Sequence, residues 1–274
     1  DHEVNLKILF QPLLSRQTLE LEERDRIMEH IRPQVNVQVL HNNWVHSRMV
    51  SLDGIRSQRD LHRFARAIHF LAERVPFNRR EQYLPGQRVL TQRQTSGLGL
   101  YRPELASLTA FAKQHLRQEL AQMNEFDQEK LSEHLSSYFP KYIVERFYDA
   151  TRAHPLGRHI AQAVFTNTLI ADAGCTLLSE AKVLLGSPTI DFLNAYTQAI
   201  SLLDAPELKG RVAQIESELS ATQEYSIRLL IEDSVETMAY WFLSTGNIPK
   251  GFATSFAAVR SEASGLLENI NLSD

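Results

Sequence analysis

The chain has 274 residues, of which 43% are hydrophobic and 23% are charged, a composition typical of a globular protein and not of a disordered one. Its 29 basic and 33 acidic residues leave a formal net charge of −4, which gives no general attraction to nucleic acid or to an anionic membrane. The single cysteine, Cys175, excludes a disulfide framework and a cysteine-based metal site.

The apolar runs and the first residues predict a cytoplasmic location. No uncharged apolar run approaches the ~18 residues of a membrane-spanning helix. The acidic opening Asp1-His2-Glu3 is unlike the basic start of a signal peptide. Because the sequence begins without Met and runs directly into patterned residues, we expect it to be a piece of a longer polypeptide.

Apolar residues recur at helical spacing along most of the chain, which predicts an all-α, multi-helix bundle. Val35, Val37 and Val39 alternate like a strand but have no partner strand nearby, so we expect them to lead into a helix over 44–49. Gly186 should end one helix, and Pro188 should begin the next. Two further predicted helices begin at Thr18 and at Pro103. The remaining predicted helices cover 57–75, 127–137, 140–153, 155–185, 207–243 and 251–270.

The helical pattern lapses from residue 75 to residue 101, where prolines and glycines concentrate. We predict an irregular stretch here, between an N-terminal helical segment (1–100) and a C-terminal helical bundle (101–274). The fold is then either one bundle or two helical subdomains joined by this stretch. Its basic residues favour a solvated loop over a phosphate site, since phosphate sites usually add ordered backbone donors; they are Arg79, Arg80, Arg88 and Arg93.

The motifs that suggest a cofactor or a metal are incomplete. Gly97-Leu98-Gly99 is similar to part of a dinucleotide loop, but Arg102 stands where a third small residue belongs and no strand precedes it, which favours a plain turn. The histidine pairs have spacings of five and seven, which do not match the i,i+4 pair of a helical metal site; they are His41 with His46 and His62 with His69. We expect no metal.

Three further polar residues are interpreted as structural. Cys175 lies among small and apolar residues, which favours a buried thiol over a nucleophile. Asn167 is predicted to tie two helices together through its amide. His154 is predicted to lie near the C-terminus of a helix, where a partly positive imidazole is favoured.

Several strings, taken in order, resemble the large bacterial NAD-specific glutamate dehydrogenases. Residues 1–9 are similar to the segment that follows the dinucleotide-binding domain in that family. The further matching strings are Phe77-Asn78-Arg79 with Leu84-Pro85, Gly99 to Ala106, Ala110 to Lys113, Tyr138-Phe139-Pro140 with Arg146-Phe147, echoes from His154 to Gly174, and a looser match over 195–243. Two residues depart from the family strings. Glu81 falls one position earlier than the glutamate of the family string. Tyr101 stands where the family usually has Thr, which is better able to cap the following helix.

The resemblance implies that the chain is the C-terminal helical domain of an enzyme that oxidatively deaminates L-glutamate to 2-oxoglutarate and ammonia with NAD. The catalytic residues and the NAD-binding loop would lie upstream of Asp1, so no complete active site and no bound cofactor are expected in this chain. The implied role is structural, oligomerising or regulatory. The implied partners are the catalytic domains of the same polypeptide and further copies in a homo-oligomer.

The resemblance also places four residues near the substrate cleft of such an enzyme, because the chain leaving the nucleotide domain passes close to it. These residues are Asp1, His2, Glu3 and Asn5. The competing interpretation is that they simply begin a helix. For the whole chain, the alternative is an independent all-α interaction or regulatory module.

Overall fold

The structure, a computed structural model, describes residues 2–123 and 128–245. Every regular element in these two ranges is a helix, which confirms the all-α prediction. None of the described helices is both long enough and apolar enough to cross a membrane. The α-helices are α1 (His2–Ser15), α2 (Leu21–Arg59), α3 (Leu61–Ala72), α4 (Gln87–Thr95), α5 (Arg102–Gln122), α6 (Gln128–Tyr138), α7 (Lys141–Arg146), α8 (Tyr148–Arg152), α9 (Gly157–Ala173), α10 (Leu177–Leu185), α11 (Thr189–Leu203), α12 (Ala205–Gln214) and α13 (Ala221–Thr245).

The described residues form two compact units that divide between Ser179 and Glu180. In the first unit, α9 packs against α2, α5 and α6, and α3 packs against α2 and α5. In the second unit, α11 and α12 pack against α13. The stretch 75–101 lies inside the first unit. The division of the polypeptide at residue 100 stays a prediction.

Helix α2 is continuous over 39 residues, a length of roughly 58 Å. Acidic residues in its first turn and arginines in its last turn favour both ends through the helix dipole. The alternating valines lie within it, so the helix predicted to begin at Thr18 and the helix predicted over 44–49 are parts of one helix. No residue between Ile31 and Met49 is buried, and without a core-facing side the helical period is not visible in that part of the sequence.

Helix α4 lies in the stretch that was predicted to be irregular. Its few apolar residues hide it, since only Leu90 is buried. The helix ends at a glycine with positive φ, Gly97 (φ 66°), and the N–H of Leu98 donates to the carbonyl of Arg93 at 2.8 Å. This is the hydrogen-bonded helix end that glycine favours. The interpretation of Gly97-Leu98-Gly99 as a turn is therefore confirmed.

The arginines of the stretch 75–101 do not all belong to a solvated loop. Arg93 donates to both carboxylate oxygens of Glu104, at 2.6 and 2.9 Å, and Arg79 donates to the carbonyl of Pro85. Arg80 and Arg88 are exposed, as predicted. The prediction was wrong for Arg79 and Arg93 because their partners become neighbours only in the folded chain.

Tyr101 begins α5 without using its hydroxyl as a cap. Its backbone N–H donates to Glu104 at 2.7 Å, and its ring lies 4.0 Å from the guanidinium of Arg93. The same glutamate therefore binds both the helix start and the arginine of α4. This arrangement provides a physical role for the tyrosine that replaces the usual Thr.

Four helices predicted as continuous are interrupted. The helix predicted over 57–75 breaks at Asp60, between α2 and α3. The helix predicted over 155–185 breaks at Gly174, that over 140–153 at Phe147, and that over 207–243 before Ser220. Ser220 and Gln223 form a reciprocal capping box: Gln223 N–H donates to Ser220 Oγ at 3.3 Å, and Ser220 N–H donates to Gln223 Oε1 at 3.0 Å.

The ends of the next two helices were predicted more closely. Helix α10 ends at Leu185, directly before Gly186, and α11 begins at Thr189, after Pro188. The predicted helix over 251–270 lies outside the described residues.

A buried polar tie joins the helices of the second unit. The hydroxyl of Tyr196 on α11 donates to Glu232 on α13 at 2.6 Å, and Lys209 on α12 forms an ion pair with the same carboxylate. Tyr196 is only 1% exposed. The carboxylate is stabilised by these two partners at the meeting point of three helices.

Candidate functional site

A cleft of about 800 Å³ opens in the first unit, with walls from α1, α2, α6 and α9. We call it the histidine cleft. Its polar lining includes His2, Asn5, His41, His46, Tyr138 and His159. Spacing along the sequence could not reveal this group, because the histidines come from three separate helices. Across residues 2–123 and 128–245, no three histidine, cysteine or acidic side chains are arranged to hold a metal ion.

One end of the histidine cleft is built by the start of α1 on Tyr138. The ring of His2 stacks on the ring of Tyr138 with centroids 4.3 Å apart, and Asn5 Nδ2 donates to the Tyr138 hydroxyl at 2.7 Å. Burial lowers the pKa of His2 and raises the pKa of Tyr138. Both rings are therefore uncharged near neutral pH, which suits a stacked pair.

His154 ties α1 to the beginning of α9. Its Nδ1 accepts from the backbone N–H of Leu156 at 3.1 Å, so Nε2 carries the proton and donates to the carbonyl of Asn5 at 3.0 Å. The side chain is buried. His154 lies directly after the last residues of α8, near a helix C-terminus as predicted. Its imidazole, however, bridges the backbone groups of Asn5 and Leu156.

The four residues predicted to lie near a substrate cleft have different positions. His2 and Asn5 line the histidine cleft. Glu3 is exposed on another side of α1 and forms an ion pair with Lys7 at 2.7 Å. Asp1 lies outside the described residues. Helix α1 also begins at His2, as the competing interpretation expects, and a role for these residues in a substrate cleft stays a prediction.

A second pocket of about 680 Å³ adjoins the histidine cleft and shares His46, Arg117 and Asn167 with it. We call it the Lys113 pocket. Lys113 Nζ lies 3.2 Å from His46 Nε2. Burial, assisted by the charge of Arg117, lowers the pKa of Lys113 to about 8. Burial and the nearby Lys113 ammonium lower the pKa of His46.

Within residues 2–123 and 128–245, no side-chain hydrogen bond joins Asn167 to another helix, so the predicted tie is not found there. Asn167 is half-buried on α9, and its side chain borders both the histidine cleft and the Lys113 pocket. Helical periodicity placed it among apolar neighbours but could not show that a cavity opens beside it.

A buried charged tie fixes the end of α9 against α2. Arg56 donates to Asp53 at 2.9 Å and to the backbone carbonyl of Asp172 at 2.6 Å. The second carboxylate oxygen of Asp53 accepts from the backbone N–H of Cys175 at 3.0 Å. Asp172 also lines the histidine cleft. The tie therefore holds two walls of the cleft in place.

The same tie explains the state of Cys175. Burial, reinforced by the nearby Asp53 carboxylate, raises the pKa of this thiol well above its ordinary value. A protonated thiol is a poor nucleophile. The interpretation of Cys175 as a buried structural residue is confirmed.

Fold and cleft together define an all-α domain with a cleft lined by apolar side chains together with histidines, asparagines and arginines. The family profile "Glutamate dehydrogenase, C-terminal" matches residues 97–272, and the profile "Bacterial NAD-glutamate dehydrogenase, catalytic domain" matches residues 1–53. Since the first match covers more than half of the chain, the chain belongs to the C-terminal glutamate dehydrogenase family. The resemblance inferred from the ordered strings is confirmed.

Curated relatives agree with these matches. The chain is 30% identical over 212 residues to the NAD-specific glutamate dehydrogenase of Mycobacterium tuberculosis, covering 77% of the chain and 13% of the relative. It is 26% identical over 247 residues to that of Pseudomonas aeruginosa and 25% identical over 243 residues to that of Halomonas elongata, covering in each case 89% of the chain and 15% of the relative. The chain thus spans about a seventh of the length of these relatives.

Proposed function

We propose that this chain is the C-terminal helical part of an NAD-dependent glutamate dehydrogenase. The parent enzyme would convert L-glutamate, NAD and water to 2-oxoglutarate, ammonia and NADH. In this proposal the chain has no complete active site and binds no NAD itself. It supports the catalytic domains and contributes to the assembly of a cytoplasmic homo-oligomer that serves amino-acid catabolism.

The position of the catalytic-domain match carries this proposal. That match ends at residue 53, inside helix α2, which continues without interruption to Arg59. One rigid helix therefore extends from the catalytic-domain segment into the helical unit. Asp53 itself is bonded to Arg56 and to the backbone of Cys175, which fixes this helix against α9. The two family matches support this reading over an independent interaction module.

The surface of α2 supports a direct contact with the catalytic domain. Large apolar side chains are exposed in its unburied middle segment, with Val37 67% and Leu40 69% exposed. Trp44 and Val39 are also exposed there. Apolar side chains grouped in this way often mark an interface. All four lie within the residues that match the catalytic domain, so the catalytic domain of the same polypeptide is the proposed partner.

Placing a charge on this surface should damage the intact enzyme. We expect Val37→Asp and Leu40→Asp in the intact polypeptide to lower its melting temperature and its glutamate-dependent reduction of NAD, because a carboxylate would be buried without a partner. A penalty of about 2–4 kcal/mol is expected for each. Thermal melts and NADH absorbance would measure the two effects.

Val89→Asp is the matched control. Val89 is 40% exposed on α4 and lies outside both family matches. The same substitution there should change stability by no more than about 0.5 kcal/mol. Equal and small effects at all three positions would contradict the proposed contact.

A further inference from the structure

We propose that the Lys113 pocket is a binding site for a small oxyanion, a carboxylate or a phosphate, held by Lys113 and Arg117 with Asn167 and His46 beside it. The proposal does not depend on the proposed function of the chain. It rests on the charge, the burial and the lining of the pocket.

The first argument is an excess of positive charge at one place. Lys113 and Arg117 lie four residues apart on α5, so their side chains are neighbours on the same helical face. Like charges at this spacing destabilise a helix. The pocket lining contains both cations and no carboxylate among the described residues. An anion between them would turn this repulsion into attraction.

The second argument is the burial of the lysine. Lys113 is half-buried, and its Nζ lies 3.2 Å from an uncharged partner, the Nε2 nitrogen of His46. Burial of an ammonium beside a second cation is unfavourable, which is the origin of its lowered pKa. An oxyanion bound at this position would supply the missing counter-charge.

The third argument is the chemistry of the other lining groups. Arg117 presents a planar fork of N–H donors that matches a carboxylate or phosphate. Amide side chains able to donate further hydrogen bonds complete the wall; they are Gln114, Gln118 and Asn167. The open pocket, at about 680 Å³, has room for a small organic anion.

Calorimetric titration of the 274-residue chain with glutarate and with inorganic phosphate tests the proposal. We expect at least one of them to bind with a Kd below about 1 mM, and the tighter of the two identifies the class of ligand. Lys113→Gln and Arg117→Gln should each weaken binding about tenfold or more, the usual effect of losing one charge-assisted hydrogen bond. Lys113→Arg keeps the charge and should retain most of the affinity.

Arg80→Gln is the matched control, since Arg80 is exposed and distant in sequence from the pocket lining. It should leave the affinity unchanged, and circular dichroism would check that each variant remains folded. Absence of binding for both anions would overturn the proposal. So would binding that Lys113→Gln and Arg117→Gln leave unaltered while the variants remain folded.

The pH dependence of glutarate binding gives an independent test. Lys113 is protonated below a pH of about 8, and His46, the titratable group facing it from α2, has a lowered pKa and stays uncharged above neutrality. The other charged group of the pocket lining is Arg117 on α5, and Asn167 on α9 does not titrate. Affinity should therefore fall about tenfold between roughly pH 7 and pH 9. An affinity that is constant over this range would overturn the role given to Lys113.

Discussion

Replacing Asp53 by alanine should lower the free energy of unfolding of the first unit by about 3–5 kcal/mol. Asp53 is fully buried and Arg56 is 8% exposed, and the two form an ion pair at 2.9 Å. Without the carboxylate, the guanidinium of Arg56 keeps only part of its bonding. The backbone N–H of Cys175 also loses its acceptor. Weakening the bonding of a buried charge while removing the acceptor of a buried N–H is among the costliest effects of a single substitution.

Urea denaturation followed by circular dichroism would measure this loss. Asp25→Ala is the matched control on the same helix, because Asp25 is 60% exposed and pairs with its neighbour Arg24 at the surface. That substitution should change the free energy of unfolding by no more than about 0.5 kcal/mol. A loss below about 1 kcal/mol for Asp53→Ala would show that the buried tie contributes little.

Replacing Gly174 by alanine should cost about 2–5 kcal/mol, the sum of backbone strain and a steric clash. Gly174 has φ 86° and ψ 167°, a conformation that is almost confined to glycine. A β-carbon at this position would lie 2.4 Å from Asp53 Oδ1 and 2.8 Å from an Arg56 nitrogen. Either the methyl group or the ion pair must move, and the tie between α2 and α9 would be distorted.

Two comparisons separate strain from clash. Gly97 also has positive φ, but a β-carbon there would meet no atom within 4 Å, so Gly97→Ala should cost only about 1–2 kcal/mol of backbone strain. In the double variant Asp53→Ala, Gly174→Ala the carboxylate that the methyl group meets is absent. The double variant should therefore lose less free energy of unfolding than the sum of the losses in the two single variants. Equal losses at Gly174 and Gly97, or strict additivity, would contradict the packing described here.

The parts of the fold that follow from local patterns were predictable. The residues at helical spacing along α5, namely Leu105, Leu108, Ala112, Leu116 and Leu120, are all buried, which is what helical periodicity predicts for an apolar stripe. Gly186 follows the last residue of α10. In both cases a few neighbouring residues determine the result, through helical periodicity or through the freedom of glycine at positive φ.

Features that depend on distant residues were not predictable in the same way. The break at Gly174 is stabilised by Asp53, which is more than a hundred residues earlier in the chain. The middle of α2 lacks buried residues, and its helical character left no periodic signal. The histidine cleft gathers side chains from separate helices. His2 and Asn5 line this cleft, but a place near a substrate cleft stays a prediction for them. Lys113 and Arg117 became a candidate site only once the pocket was visible.

The family strings have structural explanations in this chain. Gly99 lies so close to α2 that a β-carbon would come within 2.9 Å of the backbone nitrogen of Gln58. Arg102 donates to Ser51 at 2.8 Å, and Glu104 binds Arg93. These contacts hold the start of α5 against α2 and α4. The residues of these strings therefore pack against α2, the helix that extends into the segment matching the catalytic domain.

We propose that this chain supports a catalytic site that it does not itself contain. The most direct measurement is glutamate-dependent reduction of NAD by the 274-residue chain and by the intact polypeptide, at equal molar concentration. We predict turnover by the intact polypeptide and none above background by the chain. Turnover by the chain at a rate near that of the intact polypeptide would contradict the account.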